Sequence, residues 1–136
     1  MLYHGVDLVE VARVRNAVER WGTRFLYRVF TPGELADCDA LGPHPRYESL
    51  AARWAAKEAV AKALNIGLSG LGAGALPEGE LRARLHDIEV VRGANGQPTL
   101  RLHGSLATRA ETLAALSLSL SHTATYALAS VVGVEH

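Results

Sequence analysis

Residues 2–9 alternate in a two-residue rhythm rich in Leu and Val, which predicts a strand with Tyr3, Gly5 and Asp7 on one side and His4, Val6 and Leu8 on the other. From about Val9 to Trp21 the rhythm becomes helical. Val11, Val14, Val18 and Trp21 fall on one side, and Gly22 stops the helix. Thr31-Pro32-Gly33-Glu34 has Thr at the N-cap, Pro at the first helical position and Glu at the third, a capping box that opens a short helix to about Leu41. Gly42-Pro43-His44-Pro45 breaks it. Arg46 to Leu64 then holds strong helix formers without Gly or Pro, with apolar residues around most of its circumference, which predicts a long, central, buried helix.

The second half reads differently. Gly67 to Gly79 contains five glycines and one proline, so a flexible insertion is expected over about 67–86, with a short helical turn at Glu80 to Leu85. Asp87 to Arg92 and Thr99 to His103 are predicted strands joined through Asn95-Gly96 as a hairpin. Ser105 is expected to cap a helix reaching about Ala115. Leu116 to Ser121 alternates Leu and Ser, and Tyr126 to Val134 is a second apolar run. The two are expected to pair antiparallel around His122 to Thr125. The order β-α-α-α-β-β-α-β-β describes one α+β domain over residues 1–136, a mostly antiparallel sheet packed on a long central helix.

Composition narrows the function. At 136 residues with 49% hydrophobic and 21% charged residues, the chain can bury a core and is not intrinsically disordered. Fourteen basic residues balance fourteen acidic ones, so no net field draws it to nucleic acid or anionic lipid. The single cysteine, Cys38, excludes an internal disulfide and a Cys-rich zinc site, and the six histidines lack zinc spacing. No apolar run approaches membrane-span length, and Met1-Leu2-Tyr3-His4 lacks the order of a signal peptide, so a cytoplasmic protein is expected. The charge is nevertheless uneven. Arg13, Arg15, Arg20, Arg24 and Arg28 face one acid, Glu19, over residues 13–28. Helical geometry puts Arg13, Arg20 and, if the helix continues, Arg24 within about 20° of one line. This edge is either a solvated face or a dock for an acidic partner.

Two carboxylates interrupt apolar surroundings. Asp7 lies in Gly5-Val6-Asp7-Leu8-Val9 and Glu58 in Trp54-Ala55-Ala56-Lys57-Glu58-Ala59. A buried acid needs a cation, a hydrogen-bond donor or a metal. For Glu58 one solution is an i,i+4 pair with Lys62, and for Asp7 a backbone-capping role. Another reading takes both together. Arg53, Lys57 and Lys62 outnumber Glu58 on their helix, and phosphate oxygens would satisfy the surplus, with Mg²⁺ bridging Asp7, Glu58 and those oxygens. Ser117, Ser119 and Ser121 suit a half-solvated strand, and His122 at its end is a phosphate contact, a proton shuttle or neither. Gly70 to Gly74 lacks the Gly-Lys-Ser/Thr ending of a P-loop.

Gly5-Val6-Asp7-Leu8, Phe30-Thr31-Pro32-Gly33-Glu34-Leu35, Arg53-Trp54-Ala55-Ala56-Lys57-Glu58-Ala59 with Lys62, Gly96-Gln97-Pro98 and Leu118-Ser119-Leu120-Ser121-His122 stand in an order that resembles the holo-acyl-carrier-protein synthases. These are the short, trimeric class of 4′-phosphopantetheinyl transferases. The resemblance covers nearly the whole chain outside Leu68 to His86. It implies transfer of the phosphopantetheine arm of coenzyme A to a serine of an acyl carrier protein, with release of adenosine 3′,5′-bisphosphate. It also implies Asp7 and Glu58 as Mg²⁺ ligands, and Asp7, Glu58 and Lys62 as the catalytic set. Arg53, Lys62, Gly67 and Pro98 are then expected at coenzyme A, with His122 and Thr123 supplied by a neighbouring subunit of a homotrimer. Arg13, Arg20, Arg24 and Phe25 match the region that receives the acidic carrier. The competing functions are a catalytically silent carrier-binding module and a metal-dependent phosphohydrolase using the same acids.

Overall fold

The helix expected at the centre is α4 (Tyr47–Leu64), and thirteen of its eighteen residues are buried. The computed structural model describes residues 1–68 and 82–136. Before α4 come β1 (Leu2–Glu10), α1 (Val11–Trp21), α2 (Thr23–Val29) and α3 (Pro32–Asp37). After it come β2 (Gly67–Leu68), β3 (Arg82–Ala83), β4 (Ile88–Arg92), β5 (Pro98–Leu102), α5 (Ala107–Glu111), β6 (Leu113–His122) and β7 (Tyr126–Glu135). The fold is α+β, as its pattern predicts.

β1, β7 and β6 form an antiparallel sheet in that order, with Asp7 opposite Ala129 and Ser121 opposite Leu128. Its inner face presents small side chains (Gly5, Ala127 and Ala129) to an alanine-rich side of α4. Small against small lets the backbones approach closely. A Cβ built on Gly5 would lie 2.1 Å from the Ala59 carbonyl oxygen and 2.8 Å from the Ala63 nitrogen. Gly5 is therefore the contact that sets the depth of α4 on the sheet. The outer face of the same sheet carries exposed Leu2, Val6, Leu8, Leu128, Val132 and Val134.

β4 and β5 make a separate two-stranded hairpin, Ile88 opposite Leu102 and Arg92 opposite Pro98, with Gly96 at φ 77° in the turn. The capping box is formed as expected. Thr31 Oγ1 accepts from the Glu34 N–H at 3.2 Å, and Glu34 Oε1 accepts from the Thr31 N–H at 2.9 Å.

Four expectations change. Gly22 adopts φ 57° and the chain restarts as α2, so Arg24 leaves the line of Arg13 and Arg20. The capping-box helix ends at Asp37, with Asp39 left-handed at φ 49°, rather than reaching Leu41. Ser105 sits inside a 3₁₀ turn (Gly104–Leu106), not at the N-cap of α5, and α5 stops at Glu111 because Leu113 and Ala115 pair with Glu135 and Val134 across a bulge. Most of the glycine-rich stretch, with the turn expected from Glu80, lies outside the described residues. At its ends Gly67–Leu68 pairs parallel with Arg82–Ala83, and a 3₁₀ turn spans Leu85–Asp87.

Gly5→Val should lower folding stability by at least about 1–3 kcal/mol, because backbone atoms of α4 would have to retreat. Gly42→Ala, whose new Cβ would meet nothing closer than 3.5 Å, should stay within about 0.5 kcal/mol of the parent. Denaturant titration of both variants measures the difference.

Candidate active site

Along α4, residues four apart form ridges, and sequence neighbours point about 100° apart. Ser49, Arg53 and Lys57 make one ridge; Trp54, Glu58 and Lys62 make the next. The two ridges face different parts of the molecule.

The Trp54–Glu58–Lys62 ridge meets β1. Lys62 Nζ donates to Asp7 Oδ1 at 2.8 Å and to the Val6 carbonyl at 3.2 Å. Asp7 is largely covered while Lys62 is more than half exposed. Asp7 reaches this place because it follows Gly5 by two residues on the helix-facing side of β1. Glu58 is half-buried beside it. Burial raises the Glu58 pKa first, and repulsion from the Asp7 carboxylate raises it further. The Trp54 Nε1–H, buried and short of hydrogen-bond geometry, still favours ionised Glu58, as do Lys62 and Arg13. Asp7 and Glu58, fifty-one positions apart, thus share one electrostatic field, and Lys62 pairs with Asp7 rather than with Glu58.

These residues fit Mg²⁺. The mutual repulsion of two hard carboxylates is what a cation would relieve. Among the described residues no group of three or more His, Cys, Asp or Glu could hold a metal, so an all-protein cage is not on offer. Mg²⁺ ordinarily takes one or two carboxylates plus phosphate oxygens.

The Ser49–Arg53–Lys57 ridge turns toward α3 and the hairpin. Arg46, Ser49, Ala52 and Arg53 form one wall of a cleft of about 250 Å³, with Arg92, Gly96 and Pro98 of the hairpin, and Leu120 and His122 of β6, around the rest. Arg53 is buried. It donates to the Ser49 carbonyl at 3.3 Å and lies 3.7 Å from Asp37, while its Nε–H has no partner. A cleft with three guanidinium groups and an orphaned donor suits a phosphorylated ligand.

Lys57 does not join that chemistry. Its ammonium is fully buried and donates to Glu34 Oε1 at 2.7 Å, to Leu85 O at 3.0 Å and to Ile88 O. Burial lowers its pKa, although Glu34 opposes the shift. The expected surplus of positive charge on α4 is corrected here: Arg53, Lys57 and Lys62 each have an acid, Asp37, Glu34 and Asp7 respectively, brought from another element. Cys38 is likewise no nucleophile, since burial pushes its thiol up to about 11.

The sequence-predicted residues separate into three places. Asp7, Glu58 and Lys62 meet. Arg53, Pro98 and His122 line the cleft of a single chain. Gly67 is buried in β2, and Thr123 forms the β6–β7 turn, its Oγ1 accepting from Tyr126 N–H at 3.0 Å; neither lines the cleft. Arg46, Ser49 and Arg92 were not anticipated. Arg46 carried a readable signal, seven residues before Arg53 and so on the same stripe; Arg92 reaches the cleft only through tertiary placement. Arg13, Arg20 and Arg24 are exposed, and among the described residues no acid pairs with any arginine from Arg13 to Arg28. Arg13 lies 5.1 Å from the Trp54 ring, and Phe25 packs edge-on against Trp54 at 5.6 Å, so the basic edge adjoins the carboxylate ridge. Trp21, expected on the apolar side, is half exposed with Arg20 over its ring at 4.9 Å.

The profile of the 4′-phosphopantetheinyl transferase superfamily matches residues 4–131. The chain is 62% identical over 134 residues to the holo-[acyl-carrier-protein] synthase of Chloroflexus aurantiacus, covering 97% of each. It is 49% identical over 121 residues to that of Roseiflexus castenholzii, covering 89% of this chain and 81% of the relative. Among solved structures it superposes on the Helicobacter pylori holo-[acyl-carrier-protein] synthase in complex with coenzyme A with TM-score 0.73, at 30% identity, covering 96% and 98% of the two chains.

The raised Glu58 pKa has a stability consequence. In metal-free solution, ionised Glu58 destabilises the fold at neutral pH. That penalty disappears as pH falls through the raised folded value toward the ordinary carboxylate value. Glu58→Gln should therefore unfold at a higher temperature than the parent at pH 7, with the gap closing in acid. Thermal melts across pH in a chelator measure it.

Proposed function

The chain belongs to the 4′-phosphopantetheinyl transferase superfamily, and on that premise we propose that it moves the phosphopantetheine arm of coenzyme A onto a serine hydroxyl of an acyl carrier protein. The observation that carries this reading is the meeting of Asp7, Glu58 and Lys62 where β1 lies against α4. Adenosine 3′,5′-bisphosphate is the leaving product. Asp7 and Glu58 would hold Mg²⁺, which supplies neutralisation of the diphosphate charge. Lys62, flexible and half in solvent, exchanges Asp7 for a phosphate oxygen. Glu58, whose carboxylate is poorly solvated, accepts the serine proton directly or through water. Arg46, Arg53, Arg92 and His122 hold the 3′-phosphate, with Pro98 bordering the adenine.

A homotrimer completes the site. The outer face of the β1–β7–β6 sheet exposes Leu2, Val6, Leu8, Leu128, Val132 and Val134, an apolar face that a neighbouring subunit would cover. Arg53 and Glu58 point about 140° apart around α4, so one ligand engages both groups most simply when the cleft of one copy faces the Asp7–Glu58 pair of the next. His122 then acts across a subunit boundary together with Arg53; Thr123, in the adjoining turn, and Gly67, just beyond α4, would border the same ligand. The carrier docks on Arg13, Arg20, Arg24 and Phe25. Among the described residues no helix is long and apolar enough to cross a membrane, and we place the reaction in the cytoplasm.

Incubating the protein with coenzyme A, Mg²⁺ and an apo carrier, then weighing the carrier, tests the reaction. A gain of one phosphopantetheine arm is expected. No gain favours a carrier-binding module, and bisphosphate release without carrier modification favours a phosphohydrolase. Glu58→Gln should reduce transfer by about a hundredfold or more, with circular dichroism unchanged. Arg13→Glu with Arg20→Glu should raise KM for the carrier about tenfold while leaving KM for coenzyme A near the parent value. Equal effects on both would remove these arginines from docking.

A further inference from the structure

The buried Lys57–Glu34 pair lies outside the reaction just described, yet it sits at a junction. The Lys57 ammonium reaches Glu34 of α3, the Leu85 carbonyl of the 3₁₀ turn and the Ile88 carbonyl at the start of β4. Glu34 Oε2 accepts from the Val90 N–H at 3.0 Å, and Oε1 from the Thr31 N–H at 2.9 Å. Both side chains are wholly excluded from solvent.

The pair thus bolts the base of the hairpin to α4 through directional, charge-assisted bonds to backbone atoms. This matters because β4 and β5 form a two-stranded sheet of their own. Such a ribbon is barely stable alone, and among the described residues no third hydrogen-bonded strand fixes its angle. Its apolar contacts through Ile88 and Val90 are non-directional. The tip of this ribbon supplies Arg92, Gly96 and Pro98 to one side of the cleft, while Arg53, one turn before Lys57 on the same ridge, supplies the other.

Resting on the placement of coenzyme A proposed above, we infer that Lys57 and Glu34 are positioning residues that set the separation of Arg53 and Arg92 and so determine how strongly the enzyme reads the 3′-phosphate. Neither touches the ligand; both act through the walls.

Lys57→Met with Glu34→Gln removes both charges together. That leaves no unpaired buried ion, so folding should survive. Calorimetry compares coenzyme A with 3′-dephospho-coenzyme A. The parent should prefer coenzyme A, and the double variant should lose about tenfold of that preference while still unfolding cooperatively. A preference present in the parent and undiminished in the variant overturns this inference alone. Equal weakening of both ligands overturns it too, since that is what a loosened core would do. A parent without preference overturns the assignment of the cleft, and this inference with it. Should the double variant not fold, Glu34→Asp, which keeps both charges but shortens the reach to Lys57 and Val90, is read by the same ratio.

Discussion

A helix buried over most of its circumference can leave few of its charges to water. α4 is buried against β1, β7, the hairpin and the shorter helices, yet it carries Arg53, Lys57, Glu58 and Lys62 within three turns. Arg53 and Lys57, both buried, must find counterparts on another element, because an isolated buried charge costs several kcal/mol, and the more exposed Lys62 finds one as well. The partners come from far along the chain: Asp37 and Glu34 from α3, and Asp7 from β1. That requirement organises the molecule. It draws α3 and the hairpin to one ridge of α4 and the first strand to the next, and the two candidate ligand sites stand on those ridges.

The two ridges also divide the labour. One holds a closed, fully satisfied ion pair with no route to solvent, whose contribution is geometric. The other holds an open arrangement in which Glu58 is repelled by Asp7 and Lys62 is more than half exposed. Repulsion of that kind is what a bound cation would relieve. A satisfied pair specifies a structure; an unsatisfied one anticipates a partner. On the basic edge, Arg13, Arg15 and Arg20 of α1 lie over aromatic rings rather than against acids.

Much of this was legible from local pattern. The capping box at Thr31, the strand at residues 2–9, the Asn95-Gly96 hairpin and the Leu-Ser pairing with the last strand all follow from turn chemistry and periodicity acting over a few residues. Where the reading missed, tertiary pairing had overridden propensity. Leu113 to Ala115 look helical by composition, yet they join β6 because β7 offers them a partner. Gly22 ends α1 as its position suggests, but Thr23 to Val29, given no element by the pattern, form a helix of their own. Lys57 reads as one of the phosphate-facing cations because nothing in the linear chain shows that Glu34 lies under it.

The chain alone determined which residues carry unusual chemistry. An acid in an apolar strand and another in an apolar helix are conspicuous wherever the chain runs, since burial of a carboxylate is costly in any fold. Which charges remain free for a ligand was decided only by the packed structure. The difference is physical: burial cost is a property of a side chain and its near neighbours, whereas neutralisation depends on distance in space. Spatial distance between Lys57 and Glu34, or between Lys62 and Asp7, exists only once α4 has settled against Gly5 and the hairpin has closed over its other side.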